Sequence, residues 1–173
     1  INDKVPELKT KATVNGKKEV IAKGEITIKD TVEYKHLVPN TEYVIKGTLM
    51  DKSTGKPFKV KGKEITSTVK FVPDKADGKV EVTFTFDGSA IKKDTKLVVF
   101  ETLYRDGVEL TAHAGINDDG QTVTIKVPEL EIPKTGDERN KKALASVMSV
   151  SALGAVSIAY YLLKKKKNNK EEK

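Results

Sequence analysis

Between residues 6 and 128 apolar and polar side chains alternate with period two, and no stretch sustains a helical period. Val80, Val82, Phe84 and Phe86 take one phase, while Lys79, Glu81, Thr83 and Thr85 take the other. An extended strand with one buried face fits that pattern and a helix does not. Similar runs cover Glu25–Tyr34, Glu42–Met50, Glu64–Phe71, Leu97–Tyr104, Val108–Ala114 and Thr122–Val127. Turn chemistry separates them, at 51–55 and at the Asp-Gly pairs 77–78, 87–88, 106–107 and 119–120. Short strands at this spacing predict an all-β fold, an immunoglobulin-like β-sandwich over residues 6–128.

Composition narrows the chemistry. The chain has no cysteine and two histidines, so disulfides, thiol catalysis and thiolate metal sites are excluded. No metal site is expected and no cofactor is implied. Aromatic residues make up 6% and tryptophan is absent, which argues against a base-stacking surface. The net charge is +7, of which +5 lies in residues 136–173. The nearly neutral body lacks the basic face of a nucleic-acid binder, so no nucleic-acid partner is expected.

The C-terminal part follows a different rule. Residues 143–163 are uncharged and long enough to cross a hydrocarbon layer as a helix. Lys164, Lys165, Lys166 and Lys167 follow directly, opening a basic tail over 164–173 that would stay cytoplasmic and leave the sandwich outside. Upstream, in the linker 129–142, stands Ile132-Pro133-Lys134-Thr135-Gly136. Motif, apolar segment and basic tail, in that order, resemble the L-P-x-T-G-type cell-wall sorting signal of Gram-positive surface proteins. The resemblance implies sortase as a partner, cleavage between Thr135 and Gly136, and transfer of Thr135 to a peptidoglycan precursor. The membrane would hold the chain only until transfer. Ile132 stands where the motif usually has leucine.

Two further patterns concern the body. Lys4-Val5-Pro6-Glu7-Leu8 recurs as Lys126-Val127-Pro128-Glu129-Leu130. This echo reads as two junctions in a tandem array, with residues 1–5 ending a preceding repeat and upstream repeats as neighbours. Polar residues also occupy apolar phases. Asp30 falls in phase with Ile26, Ile28, Val32 and Tyr34, and Glu101 with Val99 and Leu103. Gln121 is in phase with Val123, Ile125 and Val127, and Thr10 with Leu8, Ala12 and Val14. Each is expected to be buried, where an unpaired carboxylate is costly and its pKa is raised. Four such breaks in one small domain point to a shared polar site. His113 is out of phase with Leu110 and Ala112, so only a bulge or a strand end would turn it inward.

Val98-Val99-Phe100-Glu101 resembles the signature of the VaFE repeats, the threonine–glutamine ester-bond domains of Gram-positive adhesins. Pro6–Thr10, Ile28–Val32, Gly47–Asp51 and the stretch from His113 to Val123 resemble them too. The resemblance implies that the Thr10 hydroxyl attacks the Gln121 side-chain amide, ammonia leaves and an intramolecular ester remains. Thr13 stands near Thr10, but the phase shared with Leu8 and Ala12 favours Thr10. Asp30, Glu101 and His113 resemble the assisting residues. A neutral His113 would carry the proton, a protonated Glu101 would donate to the oxyanion, and Asp30 would orient the histidine or hold the second proton. The reaction is a single turnover, so the domain is not expected to be an enzyme in the ordinary sense.

The expected function is a structural stalk module of a wall-anchored surface protein of the adhesin type, covalently attached to peptidoglycan. Three rival readings stand beside it: a sortase-assembled pilin subunit, a hydrolase using Thr10, His113 and Asp30, and the same stalk with a lysine isopeptide such as Lys11 with Asn117.

Overall fold

The computed structural model describes residues 4–129. Alternating sequences bury their apolar phases only by pairing edge to edge and stacking face to face, and the chain does both. Twelve strands form: β1 (Glu7–Thr13), β2 (Glu19–Ile21), β3 (Glu25–Lys35), β4 (Tyr43–Asp51), β5 (Lys56–Pro57) and β6 (Lys59–Val60). The others are β7 (Lys63–Glu64), β8 (Thr66–Phe71), β9 (Gly78–Asp87), β10 (Thr95–Arg105), β11 (Val108–His113) and β12 (Thr122–Lys126). One sheet has the order β1-β3-β9. The second runs β2-β12-β10-β4-β5, with β8 also pairing β4 and β11 also pairing β10. A two-stranded ribbon, β6-β7, lies apart. All these pairings are antiparallel except β2 with β12.

The inward phases of the two main sheets make a single core. Ile26, Ile28, Val32, Val82, Phe84 and Phe86 of the first meet Ile45, Leu49, Leu97, Val99, Leu103, Val123 and Ile125 of the second. Each such buried side chain contributes roughly 1.5–3 kcal/mol. Phe71 closes one end, its ring 5.3 Å from Tyr34 and 6.0 Å from Tyr43. The architecture is the all-β sandwich that the alternation predicts. The apolar segment 143–163 and the sorting motif lie outside the described residues.

Three local features set the site. Asn15 and Gly16, both at positive φ, turn the chain tightly after β1 and bring Lys18 back toward it. Asp106 and Gly107 do the same between β10 and β11. Gly47 faces Glu101 directly across β4 and β10. A Cβ there would sit 2.5 Å from the Phe84 ring, so glycine is what lets that ring close over the sheet beside Glu101.

Candidate functional site

One edge of β10 is shared between two partners. β12 pairs with Thr95–Val98 and β11 with Glu101–Arg105. Thr122 opposes Val98 and His113 opposes Glu101, so the segment 114–121 loops out at the gap between them. That gap brings His113, Gln121 and Glu101 together. The first sheet supplies the other side, with Asp30 on β3 opposite Ala12 on β1, and Thr10 two residues along β1.

Asp30, Glu101 and Gln121 are fully or almost fully buried, as their phase predicts. Thr10 is half-buried, and its hydroxyl oxygen is shielded from solvent. Thr13 faces the other way, opposite Lys29. Gln121 precedes its strand rather than lying in it. It ends a 3-10 turn, Asp119–Gln121, that keeps the inward phase of β12. Thr10 and this turn approach through their main chains, since a Cβ on Gly120 would lie 3.7 Å from the Thr10 carbonyl.

His113 corrects the simple alternation. The pairing of β10 with β11 shifts register, with Leu103 opposite Thr111 and Tyr104 opposite Glu109. Leu110 is the extra residue of the bulge, and beyond it the phase reverses. His113, at the strand end, therefore shares the inward side of β10 with Glu101, its direct partner.

The histidine's carboxylate partner is Asp118, not Asp30. His113 Nε2 donates to Asp118 Oδ2 at 2.7 Å, leaving Nδ1 to accept a proton. The bond to His113 holds the Asp118 carboxyl below its usual range. Asp118 also builds the turn that presents Gln121. Its other oxygen accepts from the Gly120 N–H at 2.7 Å, and its carbonyl accepts from the Gln121 N–H at 3.2 Å. Sequence reasoning missed this residue, although an aspartate two positions before the glycine of a turn is an Asx-turn signal. Asp30 instead accepts from the Gln121 side chain, Nε2 to Oδ2, at 3.2 Å.

The two buried acids behave as a coupled pair. Burial, then the neighbouring Asp30 carboxyl, pushes Glu101 up to about 10, so it is neutral at physiological pH. Burial also raises Asp30, opposed by a hydrogen bond from Glu101 and by the proximity of His113 and Lys18. One proton on Glu101 resolves the pair, because two carboxylates facing each other in a dry core cannot both ionise.

Besides the proton shared between Glu101 and Asp30, no hydrogen bond reaches five buried side-chain atoms among the described residues: Thr10 Oγ1, Asp30 Oδ1, Glu101 Oε1 and Oε2, and Gln121 Oε1. An unsatisfied buried group costs about 1–3 kcal/mol, and native cores contain few. All five fall on the four residues that break the strand pattern. The arrangement holds an unbonded hydroxyl, an amide fixed through its nitrogen, a neutral acid and a histidine with a free Nδ1. Such a set can condense the hydroxyl with the amide, the acid donating to the developing oxyanion and the histidine moving the proton. Lys11 and Asn117 are both exposed; the Lys11 backbone reaches Asp30, but neither side chain is buried with the acid pair.

Among the described residues, no group of three or more His, Cys, Asp or Glu is spaced to hold a metal ion. No curated protein matches the chain. Two crystal forms of a bacterial adhesin from Mobiluncus mulieris, containing intramolecular disulfide, isopeptide and ester bond cross-links, share its fold. Each has a TM-score of 0.62 and 20% identity, over 72% of this chain and 58% of the adhesin chain. The chain thus spans under two thirds of that protein. The model of the T-Q ester bond containing domain matches residues 6–125, which contain every residue of the site. The chain belongs to the family of T-Q ester bond containing domains.

Proposed function

We propose that the domain is a load-bearing stalk module of a Gram-positive surface protein of the adhesin type, closed by an ester bond between Thr10 and Gln121. The observation that carries this reading is the cluster of unpartnered buried atoms, Thr10 Oγ1 and Gln121 Oε1 beside the protonated Glu101. The Thr10 oxygen adds to the Gln121 amide carbon, and the hydroxyl proton passes by way of His113 to the departing nitrogen. Ammonia leaves and the ester carbonyl reforms. Both partners are consumed, so the domain reacts once and is not an enzyme. The bond joins the first strand to the start of the last, and a pull on the two ends loads the covalent link rather than the strand ladder.

The proposed setting is the cell wall. Ile132-Pro133-Lys134-Thr135-Gly136, the apolar segment 143–163 and the lysines after it support sortase cleavage at Thr135 and transfer to a peptidoglycan precursor. Upstream repeats would carry the adhesive tip away from the wall.

Two experiments test the reading. Alkaline hydroxylamine opens an ester but spares an isopeptide, so the denatured chain should change from fast to slow gel migration on treatment. A band that does not shift contradicts the ester. Replacing Pro133-Lys134-Thr135 with alanines should move the protein from the wall fraction to the membrane or the medium. Unchanged wall attachment contradicts the sorting reading.

A further inference from the structure

β1 is an edge strand, and its carbonyls at Thr10 and Ala12 point away from β3, toward the turn that ends in Gln121. That turn presents another carbonyl, Gly120 O, because its N–H is already taken by Asp118. Two acceptors cannot bond to each other. Among the described residues, no backbone hydrogen bond joins β1 to the turn. The two segments that must meet for the ester to form thus need a donor between them.

Lys18 is that donor. Its Nζ donates to Ala12 O at 2.7 Å and also to Gly120 O. Ala12 is two residues beyond Thr10, and Gly120 is next to Gln121. The lysine backbone is itself fixed to the last strand, since Thr124 N–H donates to Lys18 O at 2.8 Å. The tight turn at Asn15 and Gly16 places it there. An ammonium has three donors, and two of them close this gap.

We propose that Lys18 is a positioning residue for the Thr10–Gln121 condensation, tying the strand of the nucleophile to the turn of the acyl donor. The proposal rests on the ester reading above. The charge adds a second effect. Lys18 lies near Asp30, Asp118 and Asp119, and its attraction opposes the burial of Asp30 as a carboxylate. Burial, then repulsion from Lys11, lowers the Lys18 amine, and the three aspartates counter this. A misplacement of about 1 Å between reacting groups costs on the order of 100-fold in rate. Loss of the tie is therefore expected to slow the bond by at least about 10-fold without unfolding the sandwich.

The test follows the full chain after a pulse of cell-free synthesis and reads by mass the fraction that has lost ammonia. Lys18→Met keeps the stem and removes the donors, while Lys18→Arg keeps both donors and charge. The same Met change in a Thr10→Val background, which cannot react, reports folding alone by circular dichroism and melting. The expected result is a Met variant at least about 10-fold slower than wild type, an Arg variant within about 3-fold, and an unreactive background that melts as before. Wild-type speed in the Met variant overturns the proposal. So does an Arg variant as slow as Met, or a delay that the unfolded fraction accounts for. A wild-type chain that never loses ammonia instead removes the ester reading itself.

Discussion

Replacing Thr10 with valine isolates what the proposed cross-link contributes. Valine keeps the shape of the side chain and puts a methyl where the hydroxyl has no partner. Compared with the cross-linked wild type, the variant loses the covalent closure and little else. The closed loop runs from Thr10 to Gln121, about 110 residues, and the chain-entropy relation for a cross-link of that length gives about 5 kcal/mol at 25 °C. A domain of this size shifts its melting point by roughly 3–5 °C per kcal/mol, so Thr10→Val should melt about 15–25 °C lower. Scanning calorimetry on both proteins, with the wild-type bond first verified by mass, measures the difference. A drop below about 5 °C from a verified cross-linked parent would refute the argument that closure restricts the unfolded chain.

Glu101→Gln should fold with an unchanged circular dichroism spectrum yet keep its full, uncondensed mass, because the amide cannot share a proton with Asp30; a variant that still loses ammonia would make Glu101 merely structural. In the Thr10→Val background the acid pair stays in place, and the folded domain binds the Glu101 proton up to about pH 10 while the unfolded chain releases it near 4.5. Stability should therefore be greatest in mild acid and fall as pH rises from about 5 toward 10, so urea midpoints at pH 8 should lie below those at pH 5.5. A flat or rising profile would contradict a neutral buried Glu101. Asp118→Asn preserves the Oδ1 contact to Gly120 but turns an amide toward His113, disfavouring the tautomer that leaves Nδ1 free. Bond formation should slow by about 100- to 10,000-fold, read as persistence of the full-mass species, and a wild-type rate would show that Asp118 only shapes the turn.

The sheets were legible because alternation is a local signal that the tertiary fold obeys. Asp30, Glu101, Gln121 and Thr10 stood out for the same reason, as polar residues in apolar phase. His113 was hidden because its inward orientation depends on the bulge at Leu110, which is set by how β11 pairs with β10. Asp118 and Lys18 lie in loops, where no periodicity marks a residue. Lys18 in particular is a lysine among many until the turn at Asn15 and Gly16 brings its amine to Ala12 and Gly120. The short strands β2, β5, β6 and β7 leave no pattern of their own, being too brief to alternate.

A covalent bond between two side chains changes the mass of the chain, so intact mass together with tandem mass spectrometry of a digest decides whether the Thr10–Gln121 ester exists. The expected result is a mass lower than the sequence by one ammonia, a linked peptide pair carrying Thr10 and Gln121, and restoration of the full mass by Thr10→Ala but not by Lys11→Ala. A well-folded wild-type chain that keeps its full mass after prolonged incubation, or a link mapped to any other pair, would contradict it.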